Sequence, residues 1–437
     1  MALGRTAKRW LLLLVGLPIV AVTLVVVADL IPDRYVTDRL VDAIAAGELD
    51  ARPYTVGASG AQVDKFSECK RLTVGLGAPP GMGTVESAIS SPTLGPCPTA
   101  IPKLLGWSNG EGLERSYDYF RYWNGSTVVL RPAVAAVGVT GTRVLAAAAL
   151  ALVIWAWASR VGRMIGRIAP TLFVAVLVLT TDAIDLPGAL VHAIGMVVTF
   201  GAAAAVVWWL SADASPGTYA AAAFGAGAAS QFFGDLTNPD ASWAILIMSA
   251  AIVASVLPIR SAAARVAAAG VAWIAGYAWI WVSKWVVAAV VLGYDAVRSD
   301  VVDKAEERLG GDAEGYDDGL AAGLSGAWRV WIDQPLMPWA LVGLVVVAII
   351  VVIRRREAVS TWPYRLMLGS AAIIPPVWHL VLRNHTTVHS FFTYRSFAVA
   401  FGIILVAATA RLASQPRGDE LLDRTPGQNL VAEANRG

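Results

Sequence analysis

Three of the four histidines in this 437-residue chain fall within eleven positions. They lie in Pro376-Val377-Trp378-His379-Leu380-Val381-Leu382-Arg383-Asn384-His385-Thr386-Thr387-Val388-His389-Ser390-Phe391-Phe392-Thr393-Tyr394-Arg395. His385 and His389 are four apart and would share one face of a helix. Zinc would need a further ligand at the usual spacing, and none stands nearby. Arg383 and Arg395, with Asn384, Tyr394 and the histidines between them, point instead to recognition of an anion such as phosphate or pyrophosphate. The plainer alternative is an interfacial loop that meets lipid head groups.

Two further groups stand out against apolar surroundings. Lys284 sits in Trp279-Ile280-Trp281-Val282-Ser283-Lys284-Trp285, and helical steps place Trp273, Tyr277, Trp281 and Lys284 on one face. A cation in a lipid-facing stretch is costly and marks a functional candidate; a lysine snorkelling from an aromatic belt is the competing reading. Asp235, in Phe232-Phe233-Gly234-Asp235-Leu236-Thr237-Asn238-Pro239, is either a functional carboxylate or a helix cap. The same choice applies to Asp182 and Asp185, the latter just ahead of Pro187, and His192 reads as hydrogen-bonded structure.

Carboxylates able to take a proton from an acceptor hydroxyl cluster early in the chain. Asp64 and Glu68, in Val63-Asp64-Lys65-Phe66-Ser67-Glu68-Cys69, would face one way on a helix, and Asp29 and Asp33 close the first apolar run. Arg121 and Trp123, within Tyr117-Asp118-Tyr119-Phe120-Arg121-Tyr122-Trp123-Asn124-Gly125, form a basic-aromatic patch with Arg131.

The elements that must position these groups are membrane helices. The chain is 57% hydrophobic and 15% charged, against about 25% charged for a soluble domain. Apolar runs near 11–30, 137–159, 168–186, 188–210, 217–234, 242–257, 263–292, 335–353, 366–383 and 394–412 predict an all-α polytopic protein of about ten transmembrane helices. The first run, in residues 1–30, follows Arg5, Lys8 and Arg9 and reads as a retained anchor; cleavage after Val26-Val27-Ala28 is the alternative. Basic segments at 159–167, at Arg260 and Arg265, and at Arg354-Arg355-Arg356 are expected on the cytoplasmic side with both termini. The alternate loops, with nearly all the groups named above, then fall on the extracytoplasmic face.

Residues 31–135 form a long outer loop ahead of the bundle, 136–412. The only cysteines, Cys69 and Cys97, both lie in it, which predicts a disulfide in an oxidising compartment; two unpaired thiols are the alternative. The stretch 293–334 carries Asp295, Asp300, Asp303, Glu306, Glu307, Asp312, Glu314, Asp317 and Asp318 without the spacing of a calcium loop, and reads as a solvated acidic cover. A polar tail, 413–437, is expected to be disordered in the cytoplasm.

The net charge of +2 gives no basis for nucleic-acid binding. Gly75-Leu76-Gly77 lacks the lysine and hydroxyl residue of a phosphate loop, which argues against ATP-driven transport. Chemistry at the outer face must draw an activated donor from the membrane.

The layout of one span, a long outer loop bearing acids and a bundle of further spans resembles the GT-C glycosyltransferase superfamily. That resemblance implies transfer of a sugar from a polyprenyl-phosphate-linked donor to an envelope glycan or protein acceptor. The implied base is an acid just after the first span: Asp33 or Asp29 by position, with Asp64 later. The family's adjacent acidic pair is absent. The blocks 119–125, 233–239, 281–285 and 384–395 also resemble a family of uncharacterised bacterial membrane proteins. The expected site therefore comprises Asp33, Asp64 and Glu68 as base candidates, with Arg121, Trp123, Asp235, Trp281, Lys284, Arg383, Asn384, His385, His389, Tyr394 and Arg395 toward the substrate. No cofactor is specified, and a divalent cation is compatible. The alternatives are a lipid or glycan flippase, and an envelope acyltransferase or polysaccharide polymerase.

Overall fold

A backbone placed in hydrocarbon must satisfy its own hydrogen bonds, so long apolar runs fold as helices. The computed structural model describes residues 2–52, 54–58, 60, 62–295, 297, 298, 300–303, 319, 321–355 and 361–412. Glu306, Glu307, Asp312, Glu314, Asp317 and Asp318, Arg356 and the tail from 413 lie outside them.

Helix α1 (Ala2–Leu11) continues through a π-helical turn, Leu12–Gly16, into α2 (Leu17–Asp29). The segment that follows is a small folded unit of its own. It contains α3 (Asp33–Ala45), β1 (Tyr54–Val56), β2 (Gln62–Asp64), α4 (Phe66–Leu72), α5 (Thr84–Ser90), β3 (Pro92–Thr93), α6 (Cys97–Ser108) and β4 (Tyr117–Asp118). Strands β1 and β2 pair antiparallel, Tyr54 opposite Asp64, and β3 pairs with β4, Pro92 opposite Asp118.

The bundle opens with α7 (Thr127–Ile165), which starts earlier than the apolar run alone suggests and bends at Gly138, where φ is 71°. It continues through α8 (Ile168–Thr180), α9 (Leu190–Trp209), α10 (Pro216–Gly234), α11 (Pro239–Ala254) and α12 (Ile259–Leu292). Helices Ala322–Ile332, Met337–Arg355, Trp362–Gly369, Ile374–Val381, Arg383–Val388, Ser390–Thr393 and Arg395–Thr409 complete it. Among the described residues, six helical stretches are long and apolar enough to cross a membrane: Ala7–Asp29, Thr127–Ile165, Leu190–Trp209, Ile259–Leu292, Met337–Arg354 and Ser390–Thr409. Ile168–Thr180 and Pro239–Ala254 are shorter apolar helices. The chain is an all-α membrane protein.

Side-chain contacts sort the helix ends into two chemical groups. At one end, Arg160 donates to the carbonyl of Val207, Arg265 to that of Ala214, and Arg365 to those of Ala407, Ala408 and Ala410. Arg9 reaches Thr218 there. Arg160 and Arg365 engage carbonyls at the C-termini of α9 and of the helix Arg395–Thr409, where the helix dipole favours a cation, and Arg265 reaches the loop just ahead of α10. At the other end the folded unit between α2 and α7 meets the ends of α8–α12. Ala58 N–H donates to Asp185 Oδ1 at 2.8 Å, Lys65 reaches the Gly188 carbonyl, and Lys284 reaches the Ile89 carbonyl. The Asp185 side chain thus ties down this unit and makes no cap on Leu186–Gly188.

Two glycines let α10 and α12 cross with their backbones touching. A Cβ on Gly227 would lie 2.1 Å from the Trp273 carbonyl oxygen, and one on Gly276 2.0 Å from that of Phe224. Small residues at a crossing permit this approach between apolar helices. The contact fixes the end of α10, which carries Asp235, beside Tyr277, whose hydroxyl donates to the Asp235 carbonyl at 2.5 Å.

Cys69 and Cys97 form the expected disulfide, closing a separation of 28 positions and joining α4 to the start of α6. Both sulfurs are buried in a cluster with Leu40, Leu72, Leu94 and Leu104. The paired replacement Cys69→Ser/Cys97→Ser is expected to destabilise the chain by about 3 kcal/mol, the value for a loop of this order. Limited trypsin digestion checks this: cleavage after Lys70 and Arg71 appears at lower protease concentration than in the native protein.

Candidate functional site

One arginine joins three parts of the sequence. Arg71, on α4, donates through Nη1 to Asn124 Oδ1 and through Nη2 to Asp235 Oδ2, and all three side chains are buried. Asn124 in turn donates through Nδ2 to the carbonyls of Tyr119 at 2.8 Å and Tyr122 at 3.1 Å. The two residues that Arg71 grips both hold positive φ, 56° at Asn124 and 49° at Asp235. Asn and Asp tolerate this region better than other side chains, and such residues cluster at functional sites. Gly125 follows because Phe232 leaves no room: its N–H donates to the Phe232 carbonyl at 2.9 Å, and a Cβ would meet that oxygen at 2.5 Å. The blocks 119–125 and 233–239 are therefore one structural unit with Arg71 between them.

Beside this junction is a cavity of about 260 Å³. Phe66, Ser67, Lys70 and Arg71 of α4 form one wall, and Tyr119, Arg121 and Tyr122 the next. Asp235, Leu236 and Thr237 line the turn after α10, and His385, His389 and Phe392 complete the enclosure. Cations are in excess. Lys70 Nζ lies 3.7 Å from the Tyr119 ring centre, and the Arg121 and Arg71 guanidinium carbons lie 5.4 and 5.8 Å away. Burial alone would raise the Tyr119 phenol, yet Lys70 and Arg71 outweigh it and hold the group below its ordinary value. Asp235 is the carboxylate in the lining, and its Oδ1 has no hydrogen-bond partner among the described residues. Arg121 also pairs with Asp300, 3.6 Å away, so the acidic stretch after α12 reaches the rim.

Lys284 does not line this cavity. It is fully buried behind it, donates to the Ile89 carbonyl at 2.7 Å and lies 5.3 Å from the Trp123 ring centre. Trp123 is likewise buried and donates to the Ile280 carbonyl. The expected aromatic face of α12 is present: Trp273, Tyr277 and Trp281 contact one another in succession, and Tyr122 stacks on Trp281 at 5.7 Å. Trp281 and Trp285 both donate to the carbonyl of Arg121, at 3.0 and 3.1 Å. The tryptophan-lysine motif thus docks the segment that carries the cavity's aromatic wall.

The histidines divide. His385 and His389 share a face, ring centres 4.7 Å apart, and His385 Nε2 contacts the Leu236 carbonyl at 3.1 Å. His379 is elsewhere, bonded to Ser396 at 3.0 Å and 3.9 Å from Asp240. Arg395 and Tyr394 are also apart from the cavity: Arg395 makes a two-pronged ion pair with Asp182, and the Tyr394 hydroxyl donates to the same carboxylate. Arg383 is half-buried and Asn384 buried on the helix Arg383–Val388, and neither lines the cavity.

The three first-loop acids are engaged by other side chains outside the lining, Asp33 and Glu68 in ion pairs and Asp64 in a hydrogen bond. Asp33 starts α3 and accepts from Arg131 at 2.8 Å, while Arg131 also holds the carbonyls of Ala28 and Ile31. Glu68 is buried between Lys65 and Arg143, both at 2.8 Å. Asp64 does not share a helix with Glu68 as its spacing suggests. It ends β2, accepts the Ser67 N–H at 2.9 Å ahead of α4, and bonds His192 at 3.0 Å. Burial opposes its charge, but the bonds from His192 and Ser67 outweigh that and hold the carboxyl below its ordinary 3.8.

Lys70 and Arg71 line the cavity from outside every sequence motif, and Tyr119 and Tyr122 line it from within a motif that gave a part only to Arg121 and Trp123. A signal was present in the adjacent bases directly after Cys69, since a disulfide fixes the residues beside it. Among the described residues no group of three or more His, Cys, Asp or Glu is placed to hold a metal ion. No protein-family model matches the chain, and no curated protein or solved structure matches it either.

Two outcomes follow. Arg71→Ala, which strands Asp235 as a buried charge, is expected to cost about 3–5 kcal/mol, whereas Arg71→Met with Asp235→Asn, which removes both charges and keeps a side chain suited to positive φ, costs less; thermal unfolding in detergent measures both. Because the folded Asp64 carboxyl is held below 3.8, its stabilisation is complete above that pH and is lost as pH falls through the lower folded value. Acid titration of the melting temperature should therefore show a drop below pH 4 that Asp64→Asn removes.

Proposed function

We propose that the protein is a membrane glycosyltransferase that takes a sugar from a polyprenyl-phosphate-linked donor and passes it to a cell-envelope acceptor. The observation that carries this reading is the meeting of Lys70, Arg71 and Arg121 with Asp235, one oxygen unpartnered, in a single cavity walled by aromatics. Its volume lies just under the roughly 300–1,000 Å³ of sites for drug-sized ligands, which suits a head group whose chain stays in lipid.

In this reading the acceptor oxygen attacks the sugar's anomeric carbon as that carbon's bond to phosphate oxygen breaks. The electron pair leaves with the phosphate, and Lys70 and Arg121 stabilise the added charge. The acceptor's proton passes to the carboxylate of Asp235, which lines the cavity. Asp235 takes the part that the family resemblance gives to a first-loop acid, and Lys70 and Arg121 take the part expected of Lys284, Arg383 or Arg395.

The same reading has the chain cross the membrane ten times, with both termini cytoplasmic and the cavity extracytoplasmic. Clustering of arginines at the end shared by Arg9, Arg160, Arg265 and Arg365 supports that orientation, and so does a disulfide at the opposite end. One observation favours a transporter instead: Asp240 and His379 lie 3.9 Å apart, both buried, between apolar helices, where ionisable pairs often carry ions or protons.

Proteoliposomes supplied with a polyprenyl-phosphate sugar decide between them. Lys70→Gln and Arg121→Gln are each expected to lower sugar release by about 10²–10³-fold, the effect of losing one preorganised donor. Movement of intact donor across the bilayer without release, or release at the native rate in the double variant, would sink the transfer reading.

A further inference from the structure

Two membrane-length helices end at one corner of the bundle, and two arginines are fixed there. Arg160 and Arg163 stand in the last turns of α7, whose apolar stretch closes at Ile165. Trp208 stands in the last turn of α9, which closes at Trp209. Its indole N–H donates to the Ala156 carbonyl at 3.0 Å and pins the ring across α7. The guanidinium carbons of Arg163 and Arg160 lie 4.7 and 5.5 Å from the centre of that ring. Both cations are thus held where spanning helices leave hydrocarbon, at the level of lipid head groups.

The protein does not match their charge. At the opposite end Arg71, Arg131, Arg143 and Arg395 each meet a carboxylate. Among the described residues, neither Arg160 nor Arg163 enters an ion pair. Arg160 commits its Nε to the Val207 carbonyl at 2.9 Å, and Arg163 is exposed against the indole. The carboxylate of the loop that follows α9, Asp213, accepts instead from the Ser211 hydroxyl. Three residues apart on a helix, the two arginines are neighbours, and their repulsion grows where water gives way to hydrocarbon. An anion within reach of both removes it, and guanidinium groups suit the paired oxygens of a phosphate.

The surface beside them indicates where that phosphate comes from. Leu145 and Arg163 are eighteen residues apart, about five helical turns, and share one line of α7 with Leu152 close to it. Leu145 is 55% exposed and Leu152 61% exposed. A soluble phosphate would use the arginines alone, whereas a phospholipid also lays a chain along this apolar line.

We propose that this corner binds an anionic phospholipid, its phosphate between Arg160 and Arg163 and one acyl chain along Leu152 and Leu145. Net charge selects the head group. A zwitterionic lipid brings an ammonium of its own to a place that already holds two unmatched cations, and an anionic lipid does not. The corner is at the far end of the bundle from the cavity, so this site and the transfer reading stand or fail separately.

Native mass spectrometry of the full-length chain in detergent, titrated with dioleoyl phosphatidylglycerol and with dioleoyl phosphatidylcholine, tests the proposal. The native protein is expected to bind its first phosphatidylglycerol at least about 5-fold more tightly than phosphatidylcholine, the contribution of one basic side chain beside anionic lipid. Arg163→Gln should remove about 5-fold of the phosphatidylglycerol affinity and leave phosphatidylcholine unchanged. Arg354→Gln, which deletes an exposed charge at the end of another membrane-length helix, should keep the native preference. Equal binding of the two lipids by the native protein overturns the proposal. So does full phosphatidylglycerol affinity in Arg163→Gln, or an equal loss in Arg354→Gln, which would assign the preference to net charge alone. Displacement of the bound lipid by millimolar inorganic phosphate also overturns it, since the arginines would then serve a soluble anion.

Discussion

The structure turns on a guanidinium taken out of water. Arg71 is buried with Asp235 and Asn124, and the cost of desolvating that charge is met only while both partners stay in place. Each partner belongs to a different part of the chain: Arg71 to the unit between α2 and α7, Asn124 to the approach to α7, and Asp235 to the end of α10. Holding them together fixes where the unit sits on the bundle. It also shapes the cavity, because the carbonyls that Asn124 grips belong to Tyr119 and Tyr122 in the cavity wall. The same interaction leaves Asp235 with one oxygen committed and one not.

Around that junction, polar groups inherited from apolar helices are mostly turned to docking. Lys284, Trp281 and Trp285 spend their donors on carbonyls of Ile89 and Arg121, while in the folded unit Glu68 spends its charge on Arg143 and Asp64 is hydrogen-bonded to His192. Desolvated donors that end on backbone oxygens are satisfied without adding charge. What remains for a ligand is the smaller set whose charge is exposed to the cavity, chiefly Lys70 and Arg121.

Much of the architecture was legible because it rests on local pattern. Apolar runs gave helices, the lone cysteine pair gave the disulfide, four-residue steps gave the shared face of His385 and His389, and period gave the aromatic face of α12. The site itself was less legible. Asp235 and Arg121 were visible as polar residues in unusual company, but Arg71 pairs with Asp235 across 164 positions, and no periodicity encodes that distance. Asp64 misled for a physical reason: spacing predicts a shared face only if the backbone is helical, and there it is the end of a strand. Arg395 carried the right chemistry in the wrong place, since its charge is consumed by Asp182 and it does not line the cavity.

The crossing of α10 over α12 has a mechanical meaning. With Gly227 and Gly276 bringing main chain against main chain, no side chain separates the two rods at those two points, and sliding or rolling one against the other would separate their closest contact. The two move as a single beam. The turn bearing Asp235 and the ladder from Trp273 to Trp281 are then a stiff back plate, and any widening of the cavity falls to the walls formed by α4 and the Tyr119–Tyr122 segment.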